Sequence, residues 1–380
     1  MWDGMAYDPD ENLLYVGTGN GATWASDVRN GGRETAHLDN LYIASILAIN
    51  ADTGVLKWHY QCTPGDEWDY DAIQHLLLAD IRINNRNRKV IMQANKNGYF
   101  YVIDRTNGEF ISASEMSLVS WATGIDPKTG RVSIHPDALY SSTKGVTVHP
   151  VQMHNTSQMS FNPNTGLIYV PISADSQFSF IAAESFTATP GRQNFGMGQT
   201  RGANVTMATP PTHGPERKNP DGSALRGGGI LTAWNPATQK EAWFAQGGGQ
   251  TGGGTLSTAS NLVIQTLNGR IRAYTADKGE QLLDMALPVN ATPGAPMTYM
   301  LDGKQYIAVV AGNGQRGGGR GGAGGAPGGA GRGAPPAGAP PAPQQEATAA
   351  AAQRGNTPPP AAPAAPAGNN NPKMFVYTVN

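Results

Sequence analysis

The chain has 380 residues, a formal net charge of -1 and only 14% charged residues. That balance leaves no electrostatic footprint for nucleic acid or an anionic membrane surface, and no apolar run approaches the roughly 18 residues that a membrane span needs. The single cysteine, Cys62, excludes an intramolecular disulfide, a Cys-rich zinc site and a CxxCH haem attachment.

The N-terminus carries neither a basic n-region nor an apolar h-region, so no signal peptide is expected. Patterned sequence begins at once with Met1-Trp2-Asp3-Gly4-Met5-Ala6-Tyr7, and so abrupt a start predicts a truncated chain. Strand-sized apolar or alternating runs follow: Leu13-Leu14-Tyr15-Val16-Gly17, then 41–49, 90–94, 98–103, 167–171, 262–265 and 306–310. Each is rich in β-branched and aromatic residues and is bounded by Gly, Asn, Asp or Pro. Helical periodicity is nearly absent, and the chain reads as all-β.

A repeat runs through these elements. Ala48-Ile49-Asn50-Ala51-Asp52-Thr53-Gly54-Val55-Leu56-Lys57-Trp58 is echoed at 102–110, at 233–243 and at 273–282. The spacings of about 40–54 residues fit one propeller blade plus loop insertions. Each unit reads as a strand, a tight turn centred on Thr-Gly or its substitutes, and a second strand. Gly54 and Gly108 supply the positive φ such turns need, and Trp58 and Trp243 are expected to pack between neighbouring sheets. Stacking sheets radially buries faces that no single sheet buries alone. Unrelated hairpins with Asx-Gly turns are the plainer alternative.

Residues 313–372 differ in kind. Their Gly/Ala/Pro-rich composition buries too little apolar surface to offset ordering entropy and predicts disorder. Lys373-Met374-Phe375-Val376-Tyr377-Thr378-Val379 then alternates like a strand. The expected organisation is a propeller part at 1–312, an insertion loop at 313–372 and a closing strand at 373–380. Closing so long a loop adds little entropy cost, which grows logarithmically.

The most informative stretch is Thr63-Pro64-Gly65-Asp66-Glu67-Trp68-Asp69-Tyr70-Asp71. Were it extended, Asp69 and Asp71 would point the same way and repel unless they shared a proton or a cation. A hard multivalent cation with oxygen ligands meets that need; an acidic surface loop is the alternative reading. Gly227-Gly228-Gly229 and Gly252-Gly253-Gly254 lack the strand–helix context of phosphate loops and read as turns. The seven histidines are scattered, and His75 is read as structural.

Gly17-Thr18-Gly19-Asn20, Trp68-Asp69-Tyr70-Asp71, Lys96-Asn97-Gly98 and Asp104-Arg105-Thr106-Asn107-Gly108, in this order and spacing, resemble the pyrroloquinoline quinone (PQQ)-dependent methanol and alcohol dehydrogenases. The resemblance covers most of 1–312 and the last strand. It implies an eight-bladed propeller of four-stranded antiparallel sheets, with PQQ near the axis, of which this chain would hold about half. It further implies that Asn20, Asp69 and Asp71 bind the metal, that Asp69 is the general base, and that Lys96 contacts the quinone oxygens. Trp2 falls where the family stacks a tryptophan beneath the cofactor, and Asn155 is expected to reach the quinone. Asp71 sits where lanthanide-using members carry an extra aspartate, and a trivalent ion of calcium-like size is favoured by one more anionic ligand. A lanthanide is therefore the first expectation and calcium the second.

By resemblance, the metal polarises the quinone carbonyl, Asp69 takes the hydroxyl proton as hydride passes to the quinone, and the product is an aldehyde. Electrons would go to a separate c-type cytochrome, in the periplasm. The family's metal-binding glutamate and vicinal cysteines belong to N-terminal blades absent here, so the fragment alone is a doubtful enzyme. His154-Asn155-Thr156-Ser157-Gln158 also departs from the family's His-Asn-Trp-Gln-Pro, and Thr251 stands where a tryptophan is common. A non-catalytic scaffold propeller and a sugar or quinate dehydrogenase are the alternatives; the acidic cluster with Asn20, which a scaffold has no need to keep, argues against the first.

Overall fold

The computed structural model describes residues 2–30, 38–208, 214–225, 227–289, 293–312 and 373–379. Among these, the α-helix is limited to one turn, α1 (Ser26–Arg29), and everything else regular is strand apart from a 3-10 turn at Pro136–Ala138. No helix among them is long and apolar enough to cross a membrane. The Gly/Ala/Pro-rich 313–372 lies outside the described residues.

The first sheet runs β1 (Ala6–Asp8), β2 (Leu13–Gly17), β3 (Ser45–Asn50) and β4 (Leu56–Gln61). A second follows in the same order: β5 (Leu77–Ile83), β6 (Arg86–Ala94), β7 (Tyr99–Asp104) and β8 (Phe110–Glu115). A hairpin, β9 (Ala122–Ile125) with β10 (Val132–Ile134), and β11 (Gly145–Val148) come next. The third sheet begins with β12 (Ser160–Asn162) and β13 (Leu167–Ser173). The chain then leaves it for β14 (Phe178–Phe180) and β15 (Val205–Met207), which flank β11, before returning as β16 (Gly229–Asn235) and β17 (Lys240–Gln246). The fourth sheet is β18 (Gly254–Thr258), β19 (Leu262–Leu267), β20 (Arg270–Thr275) and β21 (Gln281–Ala286). β22 (Met297–Leu301), β23 (Lys304–Ala311) and β24 (Lys373–Val379) make the three-stranded fifth. All five are antiparallel meanders, the repeat expected of propeller blades.

The sequence repeat corresponds to the hairpin between the third and fourth strands. In each four-stranded sheet that pair shifts register once, at Ala48/Ile49, Val102/Ile103, Ala233/Trp234 and Ala273/Tyr274. A one-residue slip of this kind adds local twist. The turn of one sheet receives an aromatic ring from the sheet before it. Trp58 donates its indole N–H to Arg105 O at 3.2 Å, beside Tyr15, whose hydroxyl reaches the same carbonyl at 2.8 Å. Trp243 and Tyr169 repeat the pair on Ala276 O, at 3.0 and 2.9 Å. Between the second and third sheets the equivalent position is Ser112, which accepts Gln239 Nε2 at 2.9 Å. Buried residues of adjacent sheets interleave accordingly; one cluster joins Leu167, Tyr169, Leu231 and Ala233 to Val263, Tyr274 and Ala276.

One expected element differs. The apolar run 41–49 is not one strand: Leu41–Ala44 is a turn and pairing starts at Ser45. Asn40 and Ala44 both have positive φ, and the Ala44 N–H goes to Gly19 O instead of a ladder partner.

Up-and-down topology divides the loops between two ends. Turns such as 51–55 and 105–109 lie at one end. At the other lie the connections after the second and fourth strands of each sheet, which contain Asn20, Asp69, Asp71, Lys96 and Asn155.

The docking predicts unequal tolerance at two glycines of similar φ. Gly54 (φ +68) has open space around an added Cβ, whereas at Gly108 (φ +80) it would lie 2.8 Å from the Trp58 ring. We expect G54A to cost about 1–2 kcal/mol of backbone strain, and G108A to cost a further ~1–3 kcal/mol for overpacking. Urea unfolding of both variants checks the difference; equal losses would contradict the docking.

Candidate active site at the loop-bearing end

The connection from β4 to β5 is fastened at several points. Cys62 N–H bonds Ala44 O at 2.9 Å, Trp68 Nε1 donates to Ala138 O at 3.1 Å, Tyr140 donates its hydroxyl to Glu67 O at 2.6 Å, and the Tyr70 hydroxyl donates to Pro150 O. Ala72 N–H reaches Thr18 O at 2.9 Å. Gly17 permits that approach, since a Cβ there would fall 2.0 Å from Ala72 O. The segment carrying Asn20 thereby lies alongside the one carrying Asp71.

Lys96 sits in the β6–β7 turn, which Asn side chains brace: Asn95 Oδ1 accepts Asn97 N–H at 3.0 Å and Asn97 Oδ1 accepts Tyr99 N–H at 3.1 Å. Its ammonium donates to Asp69 Oδ2 at 2.8 Å and Asp71 Oδ2 at 3.2 Å. The Lys96 and Asp71 side chains are 4% and 1% exposed, and that of Asp69 is 22% exposed. The two carboxylates therefore converge on one cation, and that cation is an ammonium. The local reason differs from the extended segment expected: residues 69–72 form no strand, and Asp69 has φ +65.

The other expected residues are placed as follows. Trp2 is exposed, with its ring against Gly19, where a Cβ would lie 2.9 Å from it. Asn20 donates Nδ2 to Gly21 O at 3.2 Å and, among the described residues, bonds neither carboxylate. Asn155 donates Nδ2 to Gln152 Oε1 at 3.1 Å, while its buried Oδ1 has no partner. Met153 N–H on Lys96 O, at 3.0 Å, ties that segment to the lysine turn. No three His, Cys, Asp or Glu side chains among the described residues form a metal-holding group.

Burial pushes Asp71 up to about 6, against the pull of Lys96, and raises Asp69 in the same way. Burial disfavours the Lys96 ammonium too, yet Asp71 and Asp69 outweigh it and hold its pKa above the usual lysine value. His154 is driven down to about 4 by burial; its Nδ1 faces Pro171 O at 2.8 Å and its Nε2 is orphaned. His75, read as structural, is likewise lowered by burial.

Sequence reasoning missed the residues that hold the cluster. Gln74 Nε2 donates to Asp71 Oδ1 at 2.8 Å, and Gln93 Nε2 donates to Ala72 O and Gln74 O at 2.8 and 2.9 Å. Trp121 Nε1 donates to Asn97 O at 2.7 Å. The available signal was Gln93-Ala94-Asn95-Lys96-Asn97, a polar run that follows the apolar Val90-Ile91-Met92 of β6 into its turn.

Repeated four-stranded antiparallel sheets with buried charged residues at one end define a β-propeller. Residues 1–130 and 228–307 match the PQQ glucose/ethanol/alcohol dehydrogenase β-propeller domain, and the chain belongs to that family. It is 44% identical over 322 residues to quinohemoprotein alcohol dehydrogenase ADH IIB of Pseudomonas putida, an alignment covering 83% of this chain and 42% of that protein. The crystal structure of quinohemoprotein alcohol dehydrogenase from Comamonas testosteroni superposes with a TM-score of 0.68 at 40% identity, covering 82% of this chain and 44% of that one. A europium-containing methanol dehydrogenase gives 0.68 at 26% identity, with 82% and 51% covered. The chain thus spans about half or less of the length of these relatives.

Because the folded Asp71 holds its proton up to about 6, whereas an unfolded aspartate releases it near 3.9, the metal-free fold binds more protons than the unfolded chain between these values. Its Asp71-linked stability therefore falls as pH rises through that window. We expect the melting temperature of D71N, relative to wild type, to climb between pH 4 and 6.5. A flat difference would refute burial as the dominant effect on Asp71.

Proposed function

We propose that this chain is the cofactor-facing part of a PQQ-dependent alcohol dehydrogenase that oxidises an alcohol to an aldehyde in the periplasm. The observation that carries the reading is the convergence of Asp69 and Asp71 on a single cation, in a protein of this family, at the loop-bearing end of the sheets. Blades beyond those of this chain would complete the ring and the rest of the quinone site. In this reading 1–312 with 373–380 forms the propeller part, and 313–372 is an insertion.

The residues present fit the absent groups. Asn155 Oδ1 is a buried acceptor without a donor, and the exposed Trp2 ring offers a flat apolar face of the kind that stacks on a planar quinone. Asp69, Asp71 and Asn20 would hold the metal, a lanthanide in first place because two carboxylates favour a trivalent ion, and calcium in second. Bound PQQ supplies the hydride acceptor. Asp69 is suited to take the proton of the alcohol hydroxyl on a carboxylate oxygen: burial raises its pKa, which makes it a better base than a solvated aspartate. Lys96 keeps that carboxylate oriented and would itself donate to quinone oxygens. We propose a separate c-type cytochrome as the acceptor of the electrons; these 380 residues, with one cysteine, hold no CxxCH site themselves.

The test is dye reduction with ethanol, with PQQ and either lanthanum or calcium, in protein that includes the remaining blades. D69N is expected to lower kcat by about 10²–10⁴-fold, the usual worth of a general base, with PQQ still bound. D71A is expected to weaken lanthanum more than calcium. Failure of PQQ to bind in any metal-dependent manner would leave only the scaffold reading.

A further inference from the structure

Asp66 lies three residues before the proposed base, with its side chain buried at 1% exposure. Its Oδ1 accepts the Trp68 N–H at 3.0 Å and the Tyr70 N–H at 3.1 Å, and its Oδ2 accepts the Tyr70 N–H again at 3.0 Å. These are the backbone N–H groups of the two residues on either side of Asp69. Asp69 itself has φ +65, a left-handed conformation that an L-residue with a Cβ adopts at a cost. Strained residues persist where the surroundings over-determine them.

We propose that Asp66 is a positioning residue for Asp69: its carboxylate clamps the flanking N–H groups so that Asp69 stays in its left-handed turn and faces Lys96. The inference rests on the reading of Asp69 as base and metal-side ligand. Trp68 and Tyr70 are fully buried and anchored outward to Ala138 O and Pro150 O, which fixes their rings but leaves their amides to be held. Arg29 fastens the other side of the turn, donating Nη1 to Asp66 O at 3.0 Å and Nη2 to Gly65 O at 3.2 Å. The guanidinium therefore grips the Asp66 backbone while the Asp66 side chain grips the chain beyond it. A buried carboxyl group is costly unless its oxygens are hydrogen-bonded, and here the donors are the amides of the two residues that bracket Asp69.

The experiment compares the wild-type chain with D66A, D66N and D69N. Amide hydrogen exchange by NMR is read at Trp68 and Tyr70, with Val102 and Ile103 of β7 as references, and Tb³⁺ affinity is read by tryptophan-sensitised luminescence. We expect D66A to speed exchange at the two amides by at least 100-fold relative to the references and to weaken Tb³⁺ binding at least tenfold, with the near-UV dichroism of the Trp68–Tyr70–Trp121 cluster retained. D66N keeps one acceptor oxygen and should fall between D66A and wild type in both readouts. If D66A does not fold, D66N decides: wild-type exchange and wild-type Tb³⁺ affinity in D66N overturn the proposal. Tb³⁺ binding that D69N leaves unchanged counts against the metal-site reading instead, and the exchange comparison then judges the clamp alone.

Discussion

Two carboxylates and one ammonium, packed into a site open only at Asp69, govern the architecture of the loop-bearing end. Removing ions of this size from water costs several kcal/mol each even after relaxation. Asp69 and Asp71 together would be untenable without a cation between them. Lys96 supplies it, at 2.8 and 3.2 Å, and Gln74 satisfies the remaining face of Asp71. Losing one partner of such a group leaves an uncompensated buried charge, worth about 3–5 kcal/mol. The β6–β7 turn and the β4–β5 connection are thus bound by electrostatics as well as by packing, although they belong to different sheets.

The propeller makes that meeting possible by separating two tasks. At one end, short positive-φ turns receive rings from the preceding sheet, as Gly108 receives Trp58 and Gly279 receives Trp243. Those contacts fix the angle between sheets. At the other end several connections are long, such as 62–76, and the shorter β6–β7 turn carries Lys96; these need only be held in place. They are held by side-chain donors reaching backbone carbonyls (Trp68 to Ala138, Trp121 to Asn97, Gln93 to Ala72), so that a loop without ladder hydrogen bonds still has its polar groups satisfied.

The ring-on-turn repeat was legible because both partners leave a local signature, a five-residue turn that ends in Gly or Gln and, at Trp58 and Trp243, a tryptophan four residues on. The meeting of Asp69 with Asp71 was legible in outcome and misassigned in cause. Alternation of an extended strand was invoked, whereas a left-handed residue turns Asp69 toward Lys96. Nothing in the spacing of 66–71 marks Asp66 as the residue that stabilises the turn, because its partners are backbone N–H groups, which carry no sequence identity. The run 41–49 was misread for the opposite reason. Its apolar residues satisfy strand propensity, but Ala44 is drawn off the ladder by a bond to Gly19 that only the folded chain brings near. Asp104-Arg105-Thr106-Asn107-Gly108 served as a family signature, and its physical role is structural. Arg105 pairs with Asp8 and offers its carbonyl to Tyr15 and Trp58, joining the first two sheets.

In the proposed enzyme the same charge arrangement would set a conflict that burial opposes. A multivalent ion bound through Asp69 alone would stabilise its ionised form and lower its pKa, making it a weaker base. Asp71 would add a second negative charge to attract the ion, while burial holds the Asp69 pKa up against the pull of Lys96. Asn20, a neutral oxygen donor, would complete the proposed coordination without adding to the repulsion. The roles then divide by exposure: Asp71, at 1%, is enclosed by Lys96 and Gln74 and serves as fixed charge, whereas Asp69, at 22%, is the carboxylate that an incoming hydroxyl can reach. A cluster of two equally buried aspartates would bind the cation as well and offer the substrate no base.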